Sequence, residues 1–105
     1  MSRQQKDDRG FVMDNVFEFG ASQVIANPTV STQTTAFGAQ TTTIRVACTG
    51  DHVHIAVGSN PTATTNNSIL PAGIVEIIAV QPGWKLAVIK GGGAGSPTIS
   101  VTELI

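Results

Sequence analysis

The sequence predicts an all-β domain: a small antiparallel β-sandwich or jelly-roll-like barrel with an extended N-terminal arm. Three observations carry this. Short segments alternate apolar and polar residues with a period of two, the mark of strands with one buried face. Gly- and Pro-based turn signals separate them at short intervals, as in sandwiches and barrels. Charged residues are only 12% of the chain, about half the usual share, and Thr, Ser, Asn and Gln take their place, a composition suited to strands and turns.

The arm comes first. Residues 1–10 mix charges and carry no apolar side chain after Met1, so alone they bury too little to offset their ordering entropy. Seven of the thirteen charged residues precede Phe19, namely Arg3, Lys6, Asp7, Asp8, Arg9, Asp14 and Glu18. From Phe11 to Phe19 apolar residues crowd in without a sustained helical period, which favours an extended arm with aromatic anchors over a short helix capped by Asp14. The division is therefore an arm over residues 1–18 and a sandwich over 19–105. Ser22–Ala26 reads as a strand ended by Asn27-Pro28, and Val30–Phe37 as a polar, Thr-rich edge strand. Gly38-Ala39-Gln40 turns into Thr43–Cys48, where Ile44, Val46 and Cys48 share a face. Thr49-Gly50-Asp51 is too short for a crossover helix, so Thr43–Cys48 and His52–Val57 are expected to pair antiparallel. A polar loop runs from Gly58 to Ser68. Ile74–Val80 and Trp84–Ile89 are further strands separated by the tight turn Gln81-Pro82-Gly83. Residues 91–97, rich in glycine, read as a flexible hairpin connection to the last strand, Thr98–Ile105. The expected core is Ile44, Val46, Ile55, Val57, Ile77, Val88, Ile99 and Val101.

The chain of 105 residues is one domain. A net charge of −1 gives no electrostatic case for nucleic acid or an anionic membrane, and weak self-repulsion favours association. No stretch approaches the roughly 20 apolar residues of a membrane span, and the polar N-terminus lacks a signal-peptide core. Synthesis and residence in a host cytoplasm, with departure only inside a larger assembly, are expected. Cys48, the single cysteine, reads as a buried small hydrophobe rather than a reactive thiol.

His52-x-His54 is the one metal-like pattern, since residues two apart on a strand point the same way. Cupin-type metal enzymes follow such a pair with a Glu within a few residues; here Val57, Gly58, Ser59 and Asn60 stand there. Zinc at a catalytic site takes at least three protein ligands, so no metal site is expected. The Gly91–Gly95 run is followed by Pro97 and a strand, not by the helix a phosphate loop needs. Trp84 is either an exposed sugar-stacking platform or, preferably, a strand-opening residue packed on the core edge. No Ser-His-Asp or paired-carboxylate arrangement is suggested; the expectation is no catalysis and no cofactor.

Four stretches together resemble small structural proteins of tailed bacteriophages, as found in marine and cyanobacterial phages: HIAVGSNPTAT from His54 to Thr64, LPAG from Leu70 to Gly73, VQPGWKLAVI from Val80 to Ile89, and VTEL from Val101 to Leu104. The resemblance covers roughly Thr41 to Ile105 and not the arm. It implies a structural virion protein, foremost a head decoration (cement) protein that binds the outside of a phage head as a homotrimer seated on the major capsid protein. An adhesion, fibre or head-tail module that binds host glycans or a neighbouring virion protein is the alternative. In this setting the arm is the expected capsid-docking element, with Phe11, Val12, Val16, Phe17 and Phe19 as apolar anchors and Arg3 and Arg9 setting register.

Overall fold

The computed structural model describes residues 18–105. These form eight strands: β1 (Phe19–Ala26), β2 (Thr32–Gln33), β3 (Thr43–Thr49), β4 (Val53–Gly58), β5 (Ser68–Leu70), β6 (Val75–Ala79), β7 (Lys85–Lys90) and β8 (Thr98–Leu104). They make two antiparallel four-stranded sheets, ordered β1-β8-β3-β6 and β2-β7-β4-β5. Strand pairing is nested, β1 with β8, β2 with β7, β3 with β6 and β4 with β5, as if one long hairpin had been rolled up. This is the jelly-roll form of the sandwich.

The rolling corrects two expected pairings, β3 with β4 and the hairpin over residues 91–97. β3 does not pair with β4: β3 lies between β8 and β6, while β4 lies between β7 and β5 in the other sheet. Likewise the turns at Gln81-Pro82-Gly83 and at residues 91–97 pass between sheets and close no hairpin. Stacked sheets stand only about 10 Å apart, a gap three or four extended residues can cross, so a short connection is as good a corner as it is a hairpin. The β3–β4 corner needs Gly50, which has φ 91° and on which a Cβ would run into the Ser96 carbonyl. The glycine-rich segment is not a free linker. Asp51 accepts the Gly95 N–H at 2.8 Å, and a Cβ on Gly91 or Gly93 would run into the His52 ring or the Asp51 carboxylate.

Between the sheets lie Ile44, Val46, Val53, Leu70, Leu86, Val88, Ile99 and Val101, all fully buried, with Ile25, Phe37 and Ile55 close behind. Val57 is only partly buried. Ile77, expected in the core, is 55% exposed. In β6 the inward residues are Glu76 and Ile78, opposite Val46 and Ile44, and the outward residues are Val75, Ile77 and Ala79. Glu76, the one charged residue of this strand, faces the cleft rather than the outside, so the alternation points to the wrong face, and a slip of one residue exchanges the faces. The Val30–Phe37 strand shrinks to two residues because its backbone is bonded by side chains and by looser contacts. Gln23 takes the Thr35 N–H at 2.8 Å, and the Thr34 hydroxyl accepts from Leu86 N at 3.0 Å. β5 was hidden at the end of the polar loop. Inside that loop Thr64 and Asn67 close a turn, with Thr64 N donating to Asn67 Oδ1 at 2.7 Å.

Among the described residues one carboxylate is buried. Glu103 lies opposite Ile44 on β8, where its Oε1 accepts the Gly38 N–H at 3.1 Å and the Thr41 hydroxyl. It ties the 38–41 turn to the central strand of the first sheet.

Candidate binding surface

The histidine pair was the sharpest chemical signal in the sequence, and the fold turns it outward. On β4 the inward residues are Val53 and Ile55, so His52 and His54 sit on the outer side, half-buried, with ring centroids 5.9 Å apart. Each has structural work. His52 Nδ1 lies 2.9 Å from Asp51 Oδ1, and His54 Nδ1 lies 3.0 Å from the Asn67 carbonyl. Asp51 also accepts the His52 N–H at 2.8 Å. The N–H groups of His52 and Gly95, with the His52 ring, hold the Asp51 carboxyl below the ordinary carboxylate range. Together they staple two inter-sheet corners at one end of the sandwich. Nearby, Cys48 is buried, its thiol pushed up by burial and then by the Asp51 charge, and it donates to the Asp51 carbonyl at 3.0 Å. Trp84 is half-buried and packed on the core edge, which is poor geometry for a sugar platform.

Of the expected docking residues, Arg3, Arg9, Phe11, Val12, Val16 and Phe17 lie outside the described residues. Phe19 opens β1, paired with Leu104, and its ring is 70% exposed. Arg45 of β3 lies 6.0 Å from the ring centroid, within cation–π range. The chain reaches β1 through Glu18, whose backbone exchanges hydrogen bonds with Ile105 at 3.1 and 2.9 Å.

The surface that stands out was not singled out in the sequence. Among the described residues β6 forms one edge of the first sheet and so presents unpaired backbone N–H and C=O groups. Its outward flank is apolar and open, with Val75 46% and Ile77 55% exposed. Its inward flank borders a cleft of about 420 Å³ that separates it from β4 and β5 of the other sheet. The cleft has a simple origin. β5 pairs only with Val53–Ile55, leaving Ala56 and Val57 without a neighbour on that side. Where a longer β5 would close the sandwich, Ile55, Val57 and Ile78 wall an opening, with Asn67, Ser68 and Glu76 at its mouth. Edge strands in monomeric proteins are usually blunted by Lys, Pro or a bulge; β6 carries one charge, Glu76, and runs in regular register against β3.

No protein-family model matches the sequence, and no curated protein does. The fold is similar to solved structures of hydroxypropylphosphonic acid epoxidase. The enzyme from S. wedmorenis in complex with fosfomycin aligns with a TM-score of 0.51 at 16% identity, covering 78% of this chain and 42% of that one. An iron(II) form aligns with a TM-score of 0.53 at 12% identity, covering 97% and 56%. The chain thus spans about half the length of the structures it matches, and at this identity the likeness is one of fold.

That likeness corrects the expectation that the chain is no enzyme. The expectation rested on missing sequence motifs alone, whereas the shared fold is one on which an iron(II) epoxidase is built; a fold hosts many functions, and a missing motif excludes none of them. The described residues do not fit an iron centre of that kind. The space between the sheets is lined mainly by aliphatic side chains, with Glu103 the buried carboxylate, bonded to Gly38 and Thr41; both histidines face away from it, and no group of three His, Cys, Asp or Glu gathers among the described residues.

Proposed function

We propose that the chain is a structural virion protein of a tailed bacteriophage, of the head-decoration type, which works as a homo-oligomer seated on the major capsid protein. The open, apolar β6 edge beside an unfilled cleft carries this reading, because such a surface is suited to association with protein chains. Low charge and the jelly-roll architecture, which viral capsid proteins also use, support it; the latter is an argument by analogy of fold. A trimer is the proposed oligomer and the phage head surface the proposed location, with the N-terminal arm supplying attachment through Arg3, Arg9 and its apolar residues.

Quantitative mass spectrometry of purified virions that encode this chain tests the reading. The expected result is a fixed, high ratio of the chain to the major capsid protein, lost together with attachment when Arg3 and Arg9 are both replaced by Glu. A chain absent from purified virions, or present in only a few copies per particle, overturns the decoration role.

A further inference from the structure

We infer that the β6 edge and its cleft receive residues 11–17 of a second copy of this chain as an added strand. The inference rests on the homo-oligomer part of the proposed function and narrows the role of the arm: the apolar block serves the neighbouring copy, and residues 1–10, with Arg3 and Arg9, remain free to reach the capsid.

The receiving site has two unlike sides. A strand laid beside β6 projects alternate side chains to opposite faces of the sheet. One set points into the cleft walled by Ile55, Val57 and Ile78; the other lies beside the outward row of Val75 and Ile77. Residues 11–17 read Phe-Val-Met-Asp-Asn-Val-Phe. In extended form Phe11, Met13, Asn15 and Phe17 fall on one side and Val12, Asp14 and Val16 on the other. The bulky set suits the cleft and the smaller set the outer row. Charge agrees with this orientation. Arg45 stands opposite Ile77 on the outer face, the side that receives Asp14. Backbone bonds to an open edge supply affinity, and alternate side-chain sites supply specificity.

Geometry makes the donor a different copy. β1 and β6 are opposite edges of the same sheet. A strand outside β6 lies four spacings from β1, about 19 Å at roughly 4.8 Å each. Phe17 is two residues from Phe19 and reaches at most about 7 Å, so the apolar block cannot lie against its own β6. Donation in trans is head-to-tail, and such a contact forms a ring when its rotation closes. A trimer is the ring that the proposed function expects.

The test uses the full-length chain and light scattering coupled to size exclusion. An arm variant carries Phe11→Ser and Phe17→Ser. An edge variant carries Val75→Lys and Ile77→Lys, both at exposed positions. The wild type is expected to assemble, and each variant alone to be monomeric with a cooperative melt. Mixing the two variants is expected to give a one-to-one heterodimer by native mass spectrometry, because one copy still donates and the other still accepts. Amide exchange on the wild type is the second measurement: protection of residues 75–79 is expected to fall when Phe11 and Phe17 are replaced.

Three results overturn the inference. These are a monomeric wild type, loss of assembly in the edge variant with the arm variant unaffected (two β6 edges pairing with each other), and variants that stay separate on mixing. Virion occupancy is read independently. A ring that is absent from particles removes the decoration role and leaves the arm exchange standing.

Discussion

Two isoleucines of the first sheet, one inward on an interior strand and one outward on an edge strand, probe the rolled topology directly when each is truncated to Ala. Ile99 lies on β8 between β1 and β3, paired with Ile25 and Cys48, and is fully buried. Removing its side chain beyond Cβ leaves a cavity that strands paired on both sides cannot collapse. A loss of about 2–5 kcal/mol is expected, against a net stability for such a domain of about 5–15 kcal/mol. At roughly 4–8 °C per kcal/mol for a domain of this size, a 3 kcal/mol loss lowers the melting temperature by about 12–24 °C. Ile77 is 55% exposed, and its truncation is expected to stay within about 0.5 kcal/mol. Urea unfolding, followed through the fluorescence of the single, half-buried Trp84, reports both values. It is run at a concentration low enough to keep the chain monomeric, since Ile77 belongs to the proposed contact. Equal losses at the two positions would refute the register of β6, and with it the outward row on which the binding surface is argued.

Other perturbations read single interactions. Asp51 has its pKa depressed by the N–H groups of His52 and Gly95, so its contribution is present above the ordinary carboxylate pKa and is lost as pH falls through the depressed value. Asp51→Asn is therefore expected to flatten the loss of stability below about pH 4; an unchanged acid limb in the pH dependence of urea midpoints would count against the staple. Glu103→Ala strands the Gly38 N–H and the Thr41 hydroxyl. A loss of about 1–3 kcal/mol is expected, with Glu103→Gln retaining more stability because it keeps an acceptor; equal midpoints for Ala and Gln would remove the acceptor argument. Gly50→Ala forces a side chain into positive φ and onto the Ser96 carbonyl. A cost of at least about 1–3 kcal/mol is expected, and a wild-type melting curve for this variant would show that the corner is built differently.

The strands were legible where the two faces of a segment differ. Ile44, Val46 and Cys48 against Thr43, Arg45 and Ala47 leave one way to bury β3. In β6 the contrast is inverted, with Glu76 facing the cleft and Ile77 the outside, so alternation alone puts Ile77 on the wrong face. Pairing was less legible than existence, because a three-residue connection between strands is compatible with a hairpin and with a corner between sheets. What separates them at Gly50 is a close approach to Ser96, far away in sequence. The binding surface could not be read at all. Its cleft exists because β5 stops at three residues, and β5 lay unrecognised at the end of a loop rich in Thr and Asn. Conversely, His52-x-His54 was conspicuous in the sequence but proves to be a corner fitting, since a short motif does not say which side of the sheet carries it.

The central place of β8 also governs how the domain is made. It follows β1 and β3 in the chain by a long stretch, yet it supplies the partner for both. Until it emerges, β1 has no neighbour and the first sheet consists of β3 and β6 alone. Pairings between strands so far apart in sequence are costly to close and slow to form, which places folding toward the millisecond-to-second end of the range. Until β8 emerges the growing polypeptide carries unpaired, apolar strands, and this is a state prone to aggregation. Completion of β8 is the event that closes the first sheet.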